Sequence, residues 1–211
     1  MVESFRKSAF ADLFDSEVVD DSIGETKLVT RTMANRYEKR KGVRVHREEN
    51  LRKVFPASLE KDCAYHFLTS GDIDQLSYPT VIVEKMGVFE AFYCSTWTMT
   101  KMDVDIIESW QVAGLIKTPT FCVGEYFAKR ETAAYATLID MIQRSKGRVR
   151  CFPNHAKIVL LGSAERDEWI TVTGSSNLSM NPRCEQTTVW NDIEIYRFYQ
   201  EWFESLFWGE K

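Results

Sequence analysis

No two cysteines in this chain stand in a CxxC spacing, and only three histidines occur in its 211 residues. No apolar run approaches the ~20 residues that a membrane-spanning helix needs. The five cysteines, Cys63, Cys94, Cys122, Cys151 and Cys184, are odd in number and widely spaced. They read as free thiols of a reducing compartment. The first residues hold no apolar signal core, so the expectation is a cytoplasmic protein with no stable membrane association. A GxxxxGK[ST] loop and a GxGxxG turn are both missing, which removes support for nucleotide-cofactor chemistry. "GSSNLS" is not set in a nucleophile-elbow pattern, which argues against a serine hydrolase. Cys63 and His66 have a CxxH spacing, but no second pair completes a tetrahedral set, so no metal site and no cofactor are expected. Internal repeats and low-complexity segments are absent as well.

What is there fits one domain, or one domain with an arm. The hydrophobic content of 44% is enough for a sizeable core, and the formal net charge is −4. That charge is uneven. Residues 27–53 hold ten Lys or Arg against three Glu, a hint of a polyanion-binding segment in an otherwise acidic chain. The expected division is a basic arm or helical segment over 1–60 and a folded domain over 61–211.

Within that domain "TVIVEKM" and "FEAFYCSTW" read as strands separated by Gly87. "TKMDVDIIESWQVAGL" reads as a helix. Thr100 and Asp103 occupy its cap and third positions, Ile106, Ile107 and Trp110 its apolar stripe, and Gly114 its end. "TPTFCVG" is a short strand. "KRETAAYATLIDMIQRSKG" is a second helix, with Tyr135, Leu138, Ile139 and Ile142 on one face. "RVRCF", "AKIVLLG" and "EWITVTG" are three consecutive strands. A closing helix, "IEIYRFYQEWFESLFW", repeats Phe198, Trp202 and Leu206 every four residues, and its aromatics, with Phe203 and Phe207, read as core packing. Strands that alternate with helices and then run as a hairpin predict an α/β fold, a mixed β-sheet flanked by helices.

The hairpin gathers chemistry. Pairing "AKIVLLG" with "EWITVTG" about a turn centred near residue 164 or 165 makes opposed residues sum to about 329 or 330, which places His155 beside Gly174 and Ser175. His155 and Lys157 are two apart and share a strand face. Asn177 lies just past the partner strand, and Glu185 stands eight residues further on. An imidazole, an ammonium, a hydroxyl, a carboxamide and a carboxylate suit a phosphodiester. Lys157, Ser175 and Asn177 would bind its oxygens. A neutral His155 would attack phosphorus, and Glu185 would fix the imidazole tautomer. No metal is required if the protein supplies the positive charge.

"HAK", "GSSNLS" and "NPRCEQ" in that order resemble the HxK…GSxN…E motif of the phospholipase D superfamily. The resemblance covers roughly residues 64–208 in element order and 155–185 in motif. It implies a phospholipase D-like α/β/α sandwich and a phosphodiesterase acting through a covalent phosphohistidine. The family pattern usually reads HxKxxxxD, and here Gly162 stands in place of the aspartate. The superfamily builds one site from two HxK motifs, and this chain has one. His46 and His66, the other histidines, have no Lys two positions on. The resemblance therefore implies a two-fold homodimer like the small single-motif bacterial nucleases, one His155 as nucleophile and its twin as general acid. A bell-shaped pH–rate profile follows.

Thr96, Trp97 and Thr98 end a strand just before a helix, where α/β sheets line their ligand crevices, and are secondary candidates for substrate contact. Arg130 and Arg183 are further candidates for local positive charge, with no assigned place. The leading expectation is a metal-independent nuclease acting on DNA or RNA. The alternatives are a catalytically degenerate nucleic-acid-binding module on the same fold and, third, a phospholipid phosphodiesterase.

Overall fold

The computed structural model describes residues 47–179 and 183–208, within a compact unit that runs from Gly42 to Lys211. Seven strands form one mixed sheet. They are β1 (Cys63–Thr69), β2 (Phe89–Thr96), β3 (Ile116–Gly124), β4 (Arg148–Phe152), β5 (Ile158–Ser163), β6 (Glu168–Gly174) and β7 (Glu185–Asn191). The helices are α1 over 47–54, α2 (Ser77–Met86), α3 (Lys101–Val112), α4 (Glu125–Arg130), α5 (Thr132–Ser145) and α6 (Ile193–Ser205).

The strand order is β1-β7-β6-β5-β2-β3-β4. β2, β3 and β4 are parallel, and the remaining neighbours are antiparallel. Helices cover both faces. Every residue of β5 is therefore buried, and alternate side chains enter different cores. Val159 and Leu161 join the large core with Leu51, Ile82, Val104 and Leu138. Ile158 and Leu160 pack with Tyr196, Phe203 and Phe207 at α6. The α/β expectation holds. Leu51, Phe55 and Leu59 sit in the large core, so residues 47–59 belong to the folded unit although the sequence groups them with the arm.

Several elements form as their residues predict. The Thr100 side chain accepts from the Asp103 amide while Asp103 caps the Thr100 amide in return, a complete capping box at the start of α3. Gly114, with φ +71, follows the end of that helix. Asp192 caps α6 by accepting from the amides of Glu194 and Ile195 at 2.7 and 3.1 Å.

Other expectations are corrected. "TVIVEKM" is not a strand but the body of α2. Residues 77–83 are all buried, and a helix wrapped on every side shows the continuous apolar run of a buried strand. Gly87 ends this helix, with φ +82 and its amide on the Val83 carbonyl, rather than turning a hairpin. β1 was not foreseen. On α5 the buried residues are Ala134, Leu138, Met141 and Ile142, while Tyr135 and Ile139 are half-buried. On α6 the buried aromatics are Tyr196, Phe203 and, just beyond, Phe207, whereas Phe198 is 68% exposed. The 198/202/206 spacing marks the flank of the packed stripe.

Candidate active site

The topology sends every candidate residue to one edge of the sheet. β5 and β7 begin there, and β1, β2, β3, β4 and β6 end there. Glu185, Gly174, Lys157 and Thr96 thus lie at the ends of four successive strands, β7, β6, β5 and β2.

His155 is not on a strand, a correction to the expected pairing. The β5–β6 register runs from Ile158↔Thr173 to Ser163↔Glu168, one residue beyond the expected sum. The turn takes all four residues 164–167, because Asp167 adopts φ +55, a conformation aspartate tolerates. Its carboxylate accepts from Trp169 Nε1 at 2.8 Å. β5 starts at Ile158, so residues 153–157 form a loop.

Asn154 fixes that loop. Its carboxamide donates to Ser95 Oγ at 3.0 Å and to the Cys122 carbonyl at 2.9 Å, and it accepts from the Ala156 amide at 3.0 Å. Ser95 Oγ in turn donates to the Ala156 carbonyl at 3.1 Å. The peptides on both sides of His155 are thereby tied to the ends of β2 and β3. The imidazole itself is exposed.

Lys157 is buried, and its Nζ lies 2.9 Å from His155 Nδ1, 3.3 Å from Nε2 and 2.7 Å from the His155 carbonyl. An ammonium only donates, so the ring nitrogen it meets presents a lone pair. Burial lowers the Lys157 pKa from the ordinary lysine range, and the charge of Glu185 opposes that shift. Glu185 is itself buried and accepts from Ser175 Oγ, while Ser175 Oγ accepts from the Gln186 amide at 3.1 Å. The structure thus brings His155 to Lys157, Ser175 to Glu185, and the charges of Lys157 and Glu185 within reach of each other.

Gly174 lets β6 and β7 close up at this point. A Cβ there would meet the Gln186 carbonyl at 2.6 Å and Thr187 Oγ1 at 2.9 Å. Asn177 follows, its carbonyl accepting from the Gln75 amide at 3.4 Å. The Oδ1 of Asn177 and both polar atoms of the Gln75 side chain have no hydrogen-bond partner among the described residues. Neither Gln75 nor Asn154 was singled out by the sequence. The signal for Asn154 was its place just before "HAK"; Gln75 offered none.

Trp97 stands against His155 with ring centroids 5.5 Å apart. Thr96 is buried, and its hydroxyl donates to the Thr98 carbonyl at 2.9 Å, so it shapes this turn rather than facing a ligand. Thr98 is half-buried. Gly162 lies at the far end of β5 from Lys157, roughly 16 Å away at strand rise. A Cβ on it would meet Tyr196 Oη at 2.5 Å. The space that a side chain at this position would need is therefore filled by the ring of Tyr196.

Residues 27–46 of the basic segment lie outside the described residues. Of the rest, Arg47 pairs with Asp74 at 3.2 Å with both side chains buried, and Arg52 pairs with Glu84 at 2.7 Å. Arg47 and Arg52 are thus engaged within the folded unit, while Lys53 is exposed with its Nζ 3.4 Å from Asn50 Oδ1. Arg130 and Arg183 are exposed. His66 Nδ1 lies 3.1 Å from Thr188 Oγ1, a cross-strand contact. No helix among the described residues is long and apolar enough to cross a membrane.

No known family's sequence profile matches the chain, and no curated protein matches it in sequence. Solved structures do resemble it. Polyphosphate kinase from Porphyromonas gingivalis is similar over 69% of this chain, at 15% identity and a TM-score of 0.50, and the match spans 24% of that protein. TrmBL2, an archaeal chromatin protein with a novel mode of DNA binding, is similar over 82% of this chain and 62% of its own, at 10% identity and a TM-score of 0.49. The first is a likeness of fold, and this chain spans about a quarter of that protein's length.

Proposed function

We propose that this chain is a metal-independent phosphodiesterase, a nuclease, whose reaction passes through a phosphohistidine. The observation that carries the reading is the buried Lys157 ammonium 2.9 Å from the His155 ring, with Glu185 acting on its charge, at the strand edge where Ser175 and Asn177 also end. The polyphosphate kinase is a member of the phospholipase D superfamily, so its shared fold agrees with the family that "HAK" and "GSSN" resemble.

In this mechanism the phosphate oxygens take up the Lys157 ammonium, Asn177 donates through its amide N–H, and the Ser175 hydroxyl turns its proton from Glu185 to the phosphate. The freed imidazole lone pair attacks phosphorus, an N–P bond forms, and the P–O bond to the leaving group breaks. A protonated partner's His155 gives its proton to that leaving oxygen. Water then cleaves the N–P bond, deprotonated by the same residue, and both histidines return to their starting states. Glu185 orients the nucleophile through the other ring nitrogen. A homodimer supplies the second histidine because the chain carries a single motif.

The test is hydrolysis of DNA and RNA in excess EDTA, wild type beside His155→Ala. Turnover by the wild type and at least a thousandfold loss in the variant, with unchanged melting temperature, is the expected result. Equal turnover by both proteins would remove His155 from the mechanism. Binding without turnover by either would leave a nucleic-acid-binding module instead.

A further inference from the structure

Next to His155 the structure holds an aromatic stack that phosphate chemistry alone does not use. Trp97 and Tyr126 lie with ring centroids 4.4 Å apart and planes 23° from parallel. Trp97 also meets the His155 ring, at 5.5 Å between centroids, so it touches both Tyr126 and the candidate nucleophile. Tyr126 is 45% exposed, with one face against Trp97. The arrangement is built in. Trp97 follows β2, Tyr126 stands in the first turn of α4, and Gly124, the last residue of β3, lies against Trp97. A Cβ on Gly124 would meet the Trp97 carbonyl at 2.7 Å, Trp97 Cδ1 at 2.9 Å and the Asn154 carbonyl at 3.0 Å. One glycine thus permits both the close seat of Trp97 and the close seat of the loop that carries His155. The stack and the nucleophile are held in fixed relation. Arg130, four residues after Tyr126 on α4, is exposed on the same side of that helix.

We propose that Trp97 and Tyr126 form a stacking platform for an unpaired nucleobase beside the scissile phosphate, so that the substrate is single-stranded nucleic acid. The position of that phosphate rests on the phosphodiesterase reading above. In a duplex both faces of each base are covered by its neighbours, and a base reaches a protein ring only when it is unpaired or extruded. A single strand offers a free face at every nucleotide, and an aromatic ring accepts any of the four bases. With the phosphate on Lys157 and His155, the adjoining base is within reach of Trp97, which touches His155, and of Tyr126 stacked on it.

The experiment uses the full chain. Binding is measured with His155→Ala, to avoid turnover, against a 12-nucleotide single strand carrying one 2-aminopurine and against the same strand annealed to its complement. Tyr126→Leu and Tyr126→Phe are added in that background. The expected result is a quenched 2-aminopurine signal, duplex binding at least tenfold weaker, about a tenfold rise in Kd for Tyr126→Leu, and recovery in Tyr126→Phe. An unchanged Kd in Tyr126→Leu, duplex binding as tight as single-strand binding, or no single-strand binding at all would overturn the platform. Wild-type cleavage in EDTA separates the two readings. If the binding pattern holds and nothing is cleaved, the platform stands and the phosphodiesterase falls. If single strand and duplex are cleaved equally and Tyr126→Leu has no effect, the phosphodiesterase stands and the platform falls.

Discussion

Two polar clusters in this molecule use similar groups in opposite ways. Where α6 docks, Arg148 holds Glu204 with both guanidinium arms, at 2.8 and 2.6 Å. Tyr93 donates to the same carboxylate at 2.9 Å, and Gln200 donates to Tyr93 at 3.1 Å. Arg148 also lies over the Phe207 ring at 4.7 Å. At the other cluster, the strand-edge site, Lys157 is buried and meets a histidine rather than a carboxylate oxygen, and Asn177 and Gln75 leave polar atoms without partners. In the first arrangement one carboxylate takes up the guanidinium and the tyrosine and holds a helix in place, while the Tyr196 hydroxyl on the same helix has no partner among the described residues. The second keeps hydrogen-bonding capacity in reserve at the strand ends that carry His155 and Lys157.

The largest expected effect lies on the α6 side. Gly162→Asp supplies the aspartate of the motif that the sequence resembles, at a position where even a Cβ meets Tyr196 Oη at 2.5 Å. Overpacking together with a buried carboxylate should lower stability by about 3 kcal/mol, read by urea denaturation. Tyr196→Phe, which removes the clashing oxygen, should recover part of the loss. Activity per folded molecule should not change, because Gly162 is remote from Lys157. A fully stable Gly162→Asp, or one with raised turnover, would return the aspartate position to the site.

Glu204→Gln should have a smaller effect. The hydrogen bonds from Arg148 hold the Glu204 carboxyl below its ordinary range, and burial opposes the shift. A depressed carboxylate stabilises the fold above its unfolded pKa of about 4.3 and loses that contribution as pH falls through the lower folded value. Both side chains are about a third exposed, so solvent screening trims the gain to about 1 kcal/mol. The wild type should exceed Glu204→Gln by that amount at pH 7, and the two should converge toward pH 3. A gap that persists at pH 3 would mean packing, not charge, holds α6.

The sequence read these two clusters unequally. Local signals were legible. The Thr100–Asp103 box lies within four residues, and "HAK", "GSSN" and Glu185 do arrive at one strand edge. The failures were non-local. The apolar run of α2 gave no period because burial on all sides erased it. The α6 stripe was shifted because the 198/202/206 spacing runs along its flank, with Phe198 exposed and Trp202 half-buried beside Phe203. Asn154 works through Ser95 and Cys122, which are distant in sequence, and no local pattern marks an amide that will tie three strand ends together. The single-residue error in the hairpin register came from one left-handed aspartate. His155 and Lys157 still meet, through a loop and not along a strand face.

The finest contrast is at Gln75, fully buried, its side-chain amide without a partner among the described residues and its backbone bound to Asn177. Removing a saturated buried amide usually costs stability, whereas replacing one without partners by an apolar group of similar size is neutral or stabilising. Gln75→Leu should therefore melt no lower than the wild type. If the spare capacity serves the site, the same variant should lose about fivefold in kcat/KM, the equivalent of one neutral hydrogen bond of ~1 kcal/mol, with most of the loss in kcat. A drop in melting temperature with kcat/KM intact would place Gln75 with the structural cluster. It would also confine the site to the side chains of "HAK", "GSSN" and Glu185.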